Sequence, residues 1–417
     1  MPRTNDVATR VRTVVVLSDA AFVDGGGAAV GLRSAVALAR AGLRVEVVAA
    51  TGPPMPELLG EPNLRVVCTG QERLASSLLG GLRQGLWNER SAALLDRTLS
   101  GCDPSETIVH VHGWTKALSP SIFHVATRRG FTAIVTLHDY FSICPNGSLY
   151  LHNDDAICKL TPMSVRCITT DCDSRNYAVK GYRVVRQVVQ RYIAGMPGAV
   201  NAFISVSDFS RAIIEPHLPA NARIYPVTNP VDRVQTAAAS PELSSRFLYL
   251  GRLSPEKGPA LFARAALDAG VQADFAGEGP CTAEISAVNP SARLLGWLDA
   301  SQVTAELGAS RALVLPSLWY ETYGLSVMEA AASGVPAIVP DTSAARDLVV
   351  PSETGLWFEG GNAASLSAAL RELSRPGVAG RMGAAAYERY WSDPPTMAKH
   401  VARLREVYDS ALTRARG

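Results

Sequence analysis

The stretch LPSLWYETYGLSVMEAAASGVPAIVP, residues 315–340, holds two glutamates, Glu321 and Glu329, with seven residues between them. If both lay on one helix, eight steps would set them roughly 12 Å apart along the axis and about 80° around it, so they could not grip one atom. The local punctuation gives another reading. Residues 311–316 form a short apolar run of the kind that makes a buried parallel strand. Gly324 marks a bend, residues 325–333 read as a helix, and Gly334 with Pro336 ends it. Glu321 then lies in the loop at a strand's C-terminal edge and Glu329 projects from the helix beyond. Between them sits a helix N-terminus, with unpaired N–H groups and about half a positive charge. That is an anion site between two carboxylates that accept hydroxyl hydrogens, suited to a phosphate carrying a sugar on each side.

The same strand–helix alternation runs outward in both directions. In the first half strands are expected at 13–17, 44–49, 65–68, 108–111, 133–137, 202–206 and 223–227. After the small-residue stretch 236–240, suited to a hinge, the pattern restarts with strands at 247–250, 273–276, 294–295, 312–315, 337–339 and 355–358. Alternation of this kind implies parallel sheets with right-handed crossovers and helices on both faces, with ligands beyond the strands' C-terminal ends. The expected class is α/β, with two doubly wound Rossmann-like domains facing across a cleft. Residues 1–235 form the first domain, 236–392 the second, and 393–417 a helix that crosses back to the first.

At 417 residues the chain exceeds one ordinary core. A 47% hydrophobic and 19% charged composition is that of a folded globular protein, and a net charge of +2 lacks the basic excess of a general nucleic-acid binder. No targeting signal is visible, and no run approaches the roughly 18 apolar residues of a membrane span. The cytoplasm is the expected compartment, and seven cysteines do not make a secreted disulfide framework.

Two further motifs carry chemistry. In Gly251-Arg-Leu-Ser-Pro-Glu-Lys-Gly258, following the first strand of the second half, Gly251 lets a ligand approach the backbone. Arg252 and Lys257 are placed to hold a diphosphate, one as a planar fork and one as a point charge. Taken alone, such a pair near a helix start is ordinarily just solvated. The run from Asp24 to Gly31 carries three glycines but does not fit G-x-G-x-x-G, because the third position falls on Val30. It reads equally as a phosphate-admitting loop before a helix at 30–41 or as a plain tight turn.

Glu321-x7-Glu329 in its context, GRLSPEKG, the early glycine loop and TLHDY (136–140) together resemble family 4 of the retaining glycosyltransferases, which have the GT-B fold, over residues 13–408. The resemblance implies a nucleotide-sugar donor held by the second domain and a glycan or lipid-linked acceptor held by the first, in cell-surface polysaccharide synthesis. By position, Glu321 would hold donor-sugar hydroxyls and Glu329 the ribose. Arg252 and Lys257, with N–H groups near Gly324 and Leu325, would neutralise the diphosphate. Gly26 and Gly27 would admit the phosphate and acceptor, and His138 matches the family's active-site histidine. It also implies retention of anomeric configuration and catalysis without a metal. No Asp-x-Asp stands at a strand end, since Asp154-Asp155 and Asp171-Cys172-Asp173 fall in an insert. A nucleotide-sugar 2-epimerase, using Asp19, Asp24 or Asp139, and a non-catalytic sugar-nucleotide-binding protein are the competing functions.

The insert, about 141–176, departs from the compact family pattern. Cys144, Cys158, Cys167 and Cys172 fall in it, spaced more loosely than paired Cys-x2-Cys knuckles. A loop of this length needs a staple, and structural zinc, disulfides and unlinked thiols all remain open. At 73–87, leucines at 74, 78, 82 and 86 with Arg83 and Trp87 read either as a surface helix packed on its own domain or as a membrane-surface helix. The latter gives weak peripheral contact at the inner face of the membrane.

Overall fold

The computed structural model describes residues 10–71 and 78–414. The chain builds β1 (Thr13–Ala20), β2 (Arg44–Thr51), β3 (Leu64–Cys68), β4 (Thr107–Val111) and β5 (Thr132–Thr136). A small hairpin, β6 (Tyr150–Leu151) and β7 (Ala156–Ile157), interrupts before β8 (Ala202–Ser205) and β9 (Ile224–Pro226). The second half supplies β10 (Arg246–Leu250), β11 (Gln272–Ala276), β12 (Arg293–Gly296), β13 (Ala312–Val314), β14 (Ala337–Pro340) and β15 (Gly355–Phe358).

All thirteen expected strands are present, in two sheets ordered β3-β2-β1-β4-β5-β8-β9 and β12-β11-β10-β13-β14-β15. Every pairing within the two sheets is parallel. Parallel strands covered by helices on both faces must be apolar on both, which is why β1 reads as an unbroken Val-Val-Val-Leu. Its side chains alternate: Val15 and Leu17 join one core layer, Val14 and Val16 the other. In the second sheet Phe247 and Tyr249 of β10 face one layer and Leu248 the other. In each sheet the order reverses direction beside the first strand, between β1 and β4 and between β10 and β13. That places a ligand-binding crevice at the C-terminal ends there.

The helix Met397–Arg414 returns to the first sheet, where Val401, Leu404, Val407, Tyr408 and Leu412 complete the layer containing Val14 and Val16. Two chain segments therefore cross between the sheets, and they are tied to each other. Val231 N–H donates to Pro395 O at 2.9 Å, and the Asp232 carboxylate accepts from the Met397 N–H.

Two local expectations change. The first helix starts at Gly26 rather than 30, because Gly25, at φ 108°, is already its N-cap. The insert is not plain loop: besides β6 and β7 it holds a short helix, Val165–Thr169. The helix after it is α-helical over Tyr177–Val188 and finishes in a π turn, Val189–Ile193. Of the helix expected at 73–87, residues 73–77 lie outside the described residues, and Leu78–Leu86 is helical. There the Tyr182 hydroxyl donates to Leu82 O at 3.1 Å, and Trp87 faces His124 with 5.6 Å between ring centroids. The aromatic that a membrane-facing reading needs is thus turned toward the protein.

Candidate active site

Two loops at the C-terminal edge of the second sheet are locked backbone to backbone. Leu318 N–H donates to Glu256 O at 2.9 Å. Gly258 adopts φ 68°, and a Cβ there would stand 2.1 Å from Pro316 O, so no other residue lets the loops meet. This contact brings Lys257 and Glu321 together. The Lys257 ammonium donates to both Glu321 oxygens at 2.6 and 2.9 Å and lies 4.8 Å from the centre of the Trp319 ring. Both side chains are largely withdrawn from water, at 20% and 14% exposure. A charge pair at this depth holds its geometry but keeps its field available to a ligand.

Glu329, from the helix Leu325–Ala332, is held by the Arg233 guanidinium, which also donates to Thr304 Oγ1 at 3.0 Å. Arg252 is not drawn into this group. It is 71% exposed, with Glu256 3.6 Å away. Gly251 precedes it at the end of β10, and Gly251 N–H donates to Ala276 O.

Gly324 is the N-cap of Leu325–Ala332, and Gly25 is the N-cap of Gly26–Arg40; neither helix has a side-chain cap. The two bare N-termini face each other across the cleft, since a Cβ on Gly26 would stand 3.1 Å from Leu325 Cδ1. Two sets of unsatisfied N–H groups and two half-charges converge on one gap, an anion receptor with contributions from both domains.

His138, just beyond β5, forms the opposite wall. A Cβ on Gly27 would stand 3.0 Å from His138 Cβ, so that glycine serves the approach of the imidazole as well as of any ligand. Its carbonyl accepts from Thr322 Oγ1 at 3.0 Å, and Ser207 Oγ donates to Thr322 O at 2.8 Å, joining the two domains. Behind it His112 Nδ1 lies 3.0 Å from His138 Nε2. A Cβ on Gly31 would meet the His112 ring at 2.6 Å. Deeper still, His110 is satisfied at both nitrogens, by Tyr408 Oη and Thr136 Oγ1, each at 2.7 Å. Burial lowers His138 and His110 to about 3, with nearby histidines adding to it, and holds His112 well below its usual value, so the column is neutral near pH 7.

The tautomers follow. His112 Nε2 is buried without a partner. A buried orphan N–H is rarer and costlier than an orphan lone pair, so the His112 proton belongs on Nδ1, donating to His138 Nε2. His138 then carries its own proton on Nδ1, as a hydrogen-bond donor rather than a base.

The acidic residues of the first domain are mostly engaged. Asp19 accepts the backbone N–H groups of Lys116, Ala117 and Leu118, and Asp24 accepts the Lys116 ammonium at 2.9 Å. Asp139 accepts from Phe141 N–H at 3.0 Å, and burial pushes its carboxyl up to about 6.

For the four insert cysteines zinc, disulfides and unlinked thiols were all open. All are free thiols, and among the described residues no three His, Cys, Asp or Glu side chains gather as a metal would require. The Lys180 ammonium stands 3.1 Å from Cys172 Sγ and 3.9 Å from Cys167 Sγ, a cation already in place among the sulfurs. No described helix is long and apolar enough to cross a membrane.

Sequence spacing missed His112, Arg233, Trp319 and Thr322. His-x-His at the end of β4 was the available signal for the first, because β4 pairs with β5 and the residues beyond the two strands must meet. Arg233 had none, lying in a connecting segment without periodicity.

Comparison with known proteins bears on the family and the fold. The family model described as "Glycosyl transferases group 1" matches residues 233–389, and one described as "Glycosyl transferase 4-like domain" matches 25–230. A GDP-mannose-dependent alpha-mannosyltransferase of Mycolicibacterium smegmatis is 35% identical over 138 residues, 32% of this chain and 36% of that protein. The glycogen synthase of Mycobacterium tuberculosis is 34% identical over 190 residues, 42% and 46% of the two chains. A phosphatidyl-myo-inositol mannosyltransferase of Mycobacterium leprae is 29% identical over 231 residues, 50% and 59%. Each match thus spans less than two thirds of the relative. Among solved structures, sucrose-phosphate synthase from Thermosynechococcus elongatus has a TM-score of 0.70 at 17% identity, covering 97% of this chain and 100% of that one. Anabaena HepE in complex with UDP and glucose has a TM-score of 0.66 at 15% identity, covering 96% and 100%. At these identities the likeness establishes the fold, which is GT-B.

Proposed function

The chain belongs to glycosyltransferase family 4, and from that premise we propose that it transfers a sugar from a nucleotide-diphosphate donor to a glycan or lipid-linked acceptor with retention of configuration. Cell-surface polysaccharide synthesis is the setting we assign. Residues 236–392 hold the donor in this reading, 1–235 the acceptor, and 393–417 fasten the two. The observation that carries it is the Lys257–Glu321 pair beside two opposed, uncapped helix N-termini, with His138 across the gap.

The chemistry follows from these positions. The diphosphate occupies the gap between the helix ends, where Lys257 exchanges Glu321 for a phosphoryl oxygen. Glu321, released, accepts donor-sugar hydroxyls, and Glu329, steadied by Arg233, accepts those of the ribose. Arg252 has the freedom to swing onto the diphosphate. As the anomeric C–O bond breaks, charge grows on the leaving phosphate, and these cations and N–H groups stabilise the transition state more than the bound donor. The acceptor oxygen bonds to the anomeric carbon on the same face and its proton passes to the departing phosphate. His138 Nδ1–H orients sugar oxygens. This reading assigns no catalytic step to a metal.

The names of the relatives and the UDP of the structural neighbour support a nucleotide-sugar donor without fixing base, sugar or acceptor. For a lipid-linked acceptor a position at the inner face of the membrane would serve, with Arg83 as the exposed cation of its helix. Incubation with a panel of nucleotide sugars is the test. Transfer, or slow donor hydrolysis, supports the reading; an epimerised donor, or binding without turnover, replaces it with one of the two competing functions.

A further inference from the structure

The insert raises a question that sugar transfer does not answer. Lys180, on the helix Tyr177–Val188, has a fully buried side chain. Among the described residues its ammonium has no carboxylate and no carbonyl partner; it meets only Cys172 Sγ at 3.1 Å and Cys167 Sγ at 3.9 Å. Cys172 is itself fixed from the other side. Asn146 Nδ2 donates to its carbonyl at 2.6 Å and lies 3.2 Å from its sulfur. A thiol is a weak acceptor, and an ammonium taken wholly out of water without oxygen partners costs several kcal/mol. Ordinary hydrogen bonding does not explain why this lysine is there.

Neither of the usual staples explains it. Zinc would need three or more ligands placed around one point, and among the described residues no such group is formed. A disulfide between Cys167 and Cys172 would leave the ammonium with still poorer partners. What the geometry does supply is an amine nitrogen and a sulfur facing each other in a dry pocket. They are too far apart for a direct S–N bond without chain movement and spaced for one intervening atom.

We propose that Lys180 and Cys172 form an oxidative cross-link in which a single oxygen atom bridges Lys180 Nζ and Cys172 Sγ, with dioxygen as the oxidant. The thiol S–H and one amine N–H bond break, and S–O and O–N bonds form. The second oxygen atom leaves as water, so the four electrons given up by sulfur and nitrogen reduce one dioxygen molecule. The ammonium's extra proton goes to solvent. Thiol oxidation that stops at a bridging bond to nitrogen or sulfur is reversible by thiols, unlike the higher oxides. The link would staple the end of the insert to the helical segment 177–193, whose other side chains already hold the backbone of the insert and of Thr115 beside it. Arg186 donates to Thr115 O and Pro145 O, Gln187 to Ser142 O and Gln190 to Phe141 O. The staple therefore fixes the floor beside Tyr140, whose ring faces Tyr320 of the second domain.

The test is independent of transferase activity. Full-length protein is purified in air and, in parallel, without oxygen in the presence of a thiol reductant, and both are weighed by intact mass spectrometry. The aerobic protein should be heavier by about 14 Da, one oxygen gained and two hydrogens lost. Digestion should map the gain to peptides joined through Cys172 and Lys180. The gain should vanish on reduction and in Cys172→Ser, and persist in Cys102→Ser. An unchanged mass after prolonged exposure to air overturns the proposal. So does a loss of about 2 Da mapping to a disulfide, or one equivalent of zinc in the purified protein. Because the decisive measurement uses the unmodified chain, a variant that fails to fold does not protect the idea.

Discussion

Two lysines in this molecule are withdrawn from water in opposite ways. Lys257, at 20% exposure, faces the carboxylate of Glu321 across a gap open to the cleft. Lys180 is wholly buried and faces sulfur in the insert. In the proposed mechanism the first is a charge kept usable: its partner is exchanged for a phosphate at little electrostatic loss, because one oxyanion replaces another. The second has nothing to exchange with and serves the shape of the insert. A buried cation is thus a functional signal only when its partner is replaceable by a ligand of the same charge. The region around Lys257 satisfies that condition and the insert does not.

Substitutions can break or sharpen this contrast. The largest effect belongs to the donor side. Glu321→Ala and Lys257→Ala should each lower kcat/KM by about 10²–10³ with the fold intact, the scale of removing one preorganised electrostatic group. Steady-state transfer and circular dichroism check it; near-normal turnover in either variant would dissolve the assigned roles. Next comes the insert, where the reverse is expected. Arg186→Met strands the Thr115 and Pro145 carbonyls, costing about 1–3 kcal/mol for each left unsatisfied. Thermal denaturation should register that loss, while donor hydrolysis without acceptor stays within about twofold of wild type. If hydrolysis collapses as well, the insert belongs to the catalytic unit and the contrast fails.

A smaller effect is expected behind His138. His112→Ala removes the donor to His138 Nε2, and transfer should fall about tenfold in kcat with little change in KM. His112→Gln, which can still donate, should recover part of it. Nitrogen-15 shifts of His138 should move from a single Nδ1–H tautomer to a mixture; unchanged shifts would remove His112 from this role.

The smallest effect is one of pH. The Asp139 carboxyl, at 3.8 in an unfolded chain, is raised to about 6 by burial. The folded protein therefore holds this proton more tightly, and the stability it confers is present below pH about 4 and lost as pH rises through about 6. Asp139→Asn should be more stable than wild type near pH 7 and indistinguishable from it near pH 3.5. Denaturant melts at the two values would show it, and a gap of equal size at both would contradict it.

How legible was this in the sequence? The strands were, because most are compact apolar runs, and burial on both faces leaves only a few polar residues, such as Glu46, His110 and Asp274, to blur them. β6 and β7 were not, since two-residue strands have no period to detect. The placement of Glu321 and Lys257 at one sheet edge and of Glu329 on the helix beyond was legible because short loops between fixed strands convert spacing into position. Arg252 shows the limit of that logic, since a long flexible side chain can sit at the right place and still point to solvent. The cysteine count drew attention to the insert but could not show Lys180, which lies beyond the last cysteine on the following helix and meets two of the sulfurs. The glycine run was read as a phosphate loop or a tight turn; neither reading showed that Gly27 and Gly31 also make room for two imidazoles.

The two chain segments that cross between the sheets, bound to each other where Val231 meets Pro395 and Asp232 meets Met397, act as paired pivots on one pin. A single tether would let the halves twist and slide. Two fastened tethers leave chiefly a swing about the line through them, so the jaws should open along one arc and return the helix ends to the same register after every turnover. Distance measurements between spin labels on the two halves, with and without nucleoside diphosphate, should accordingly fit one rotation axis passing near Val231. An axis elsewhere, or a translation, would show that the pivots slip.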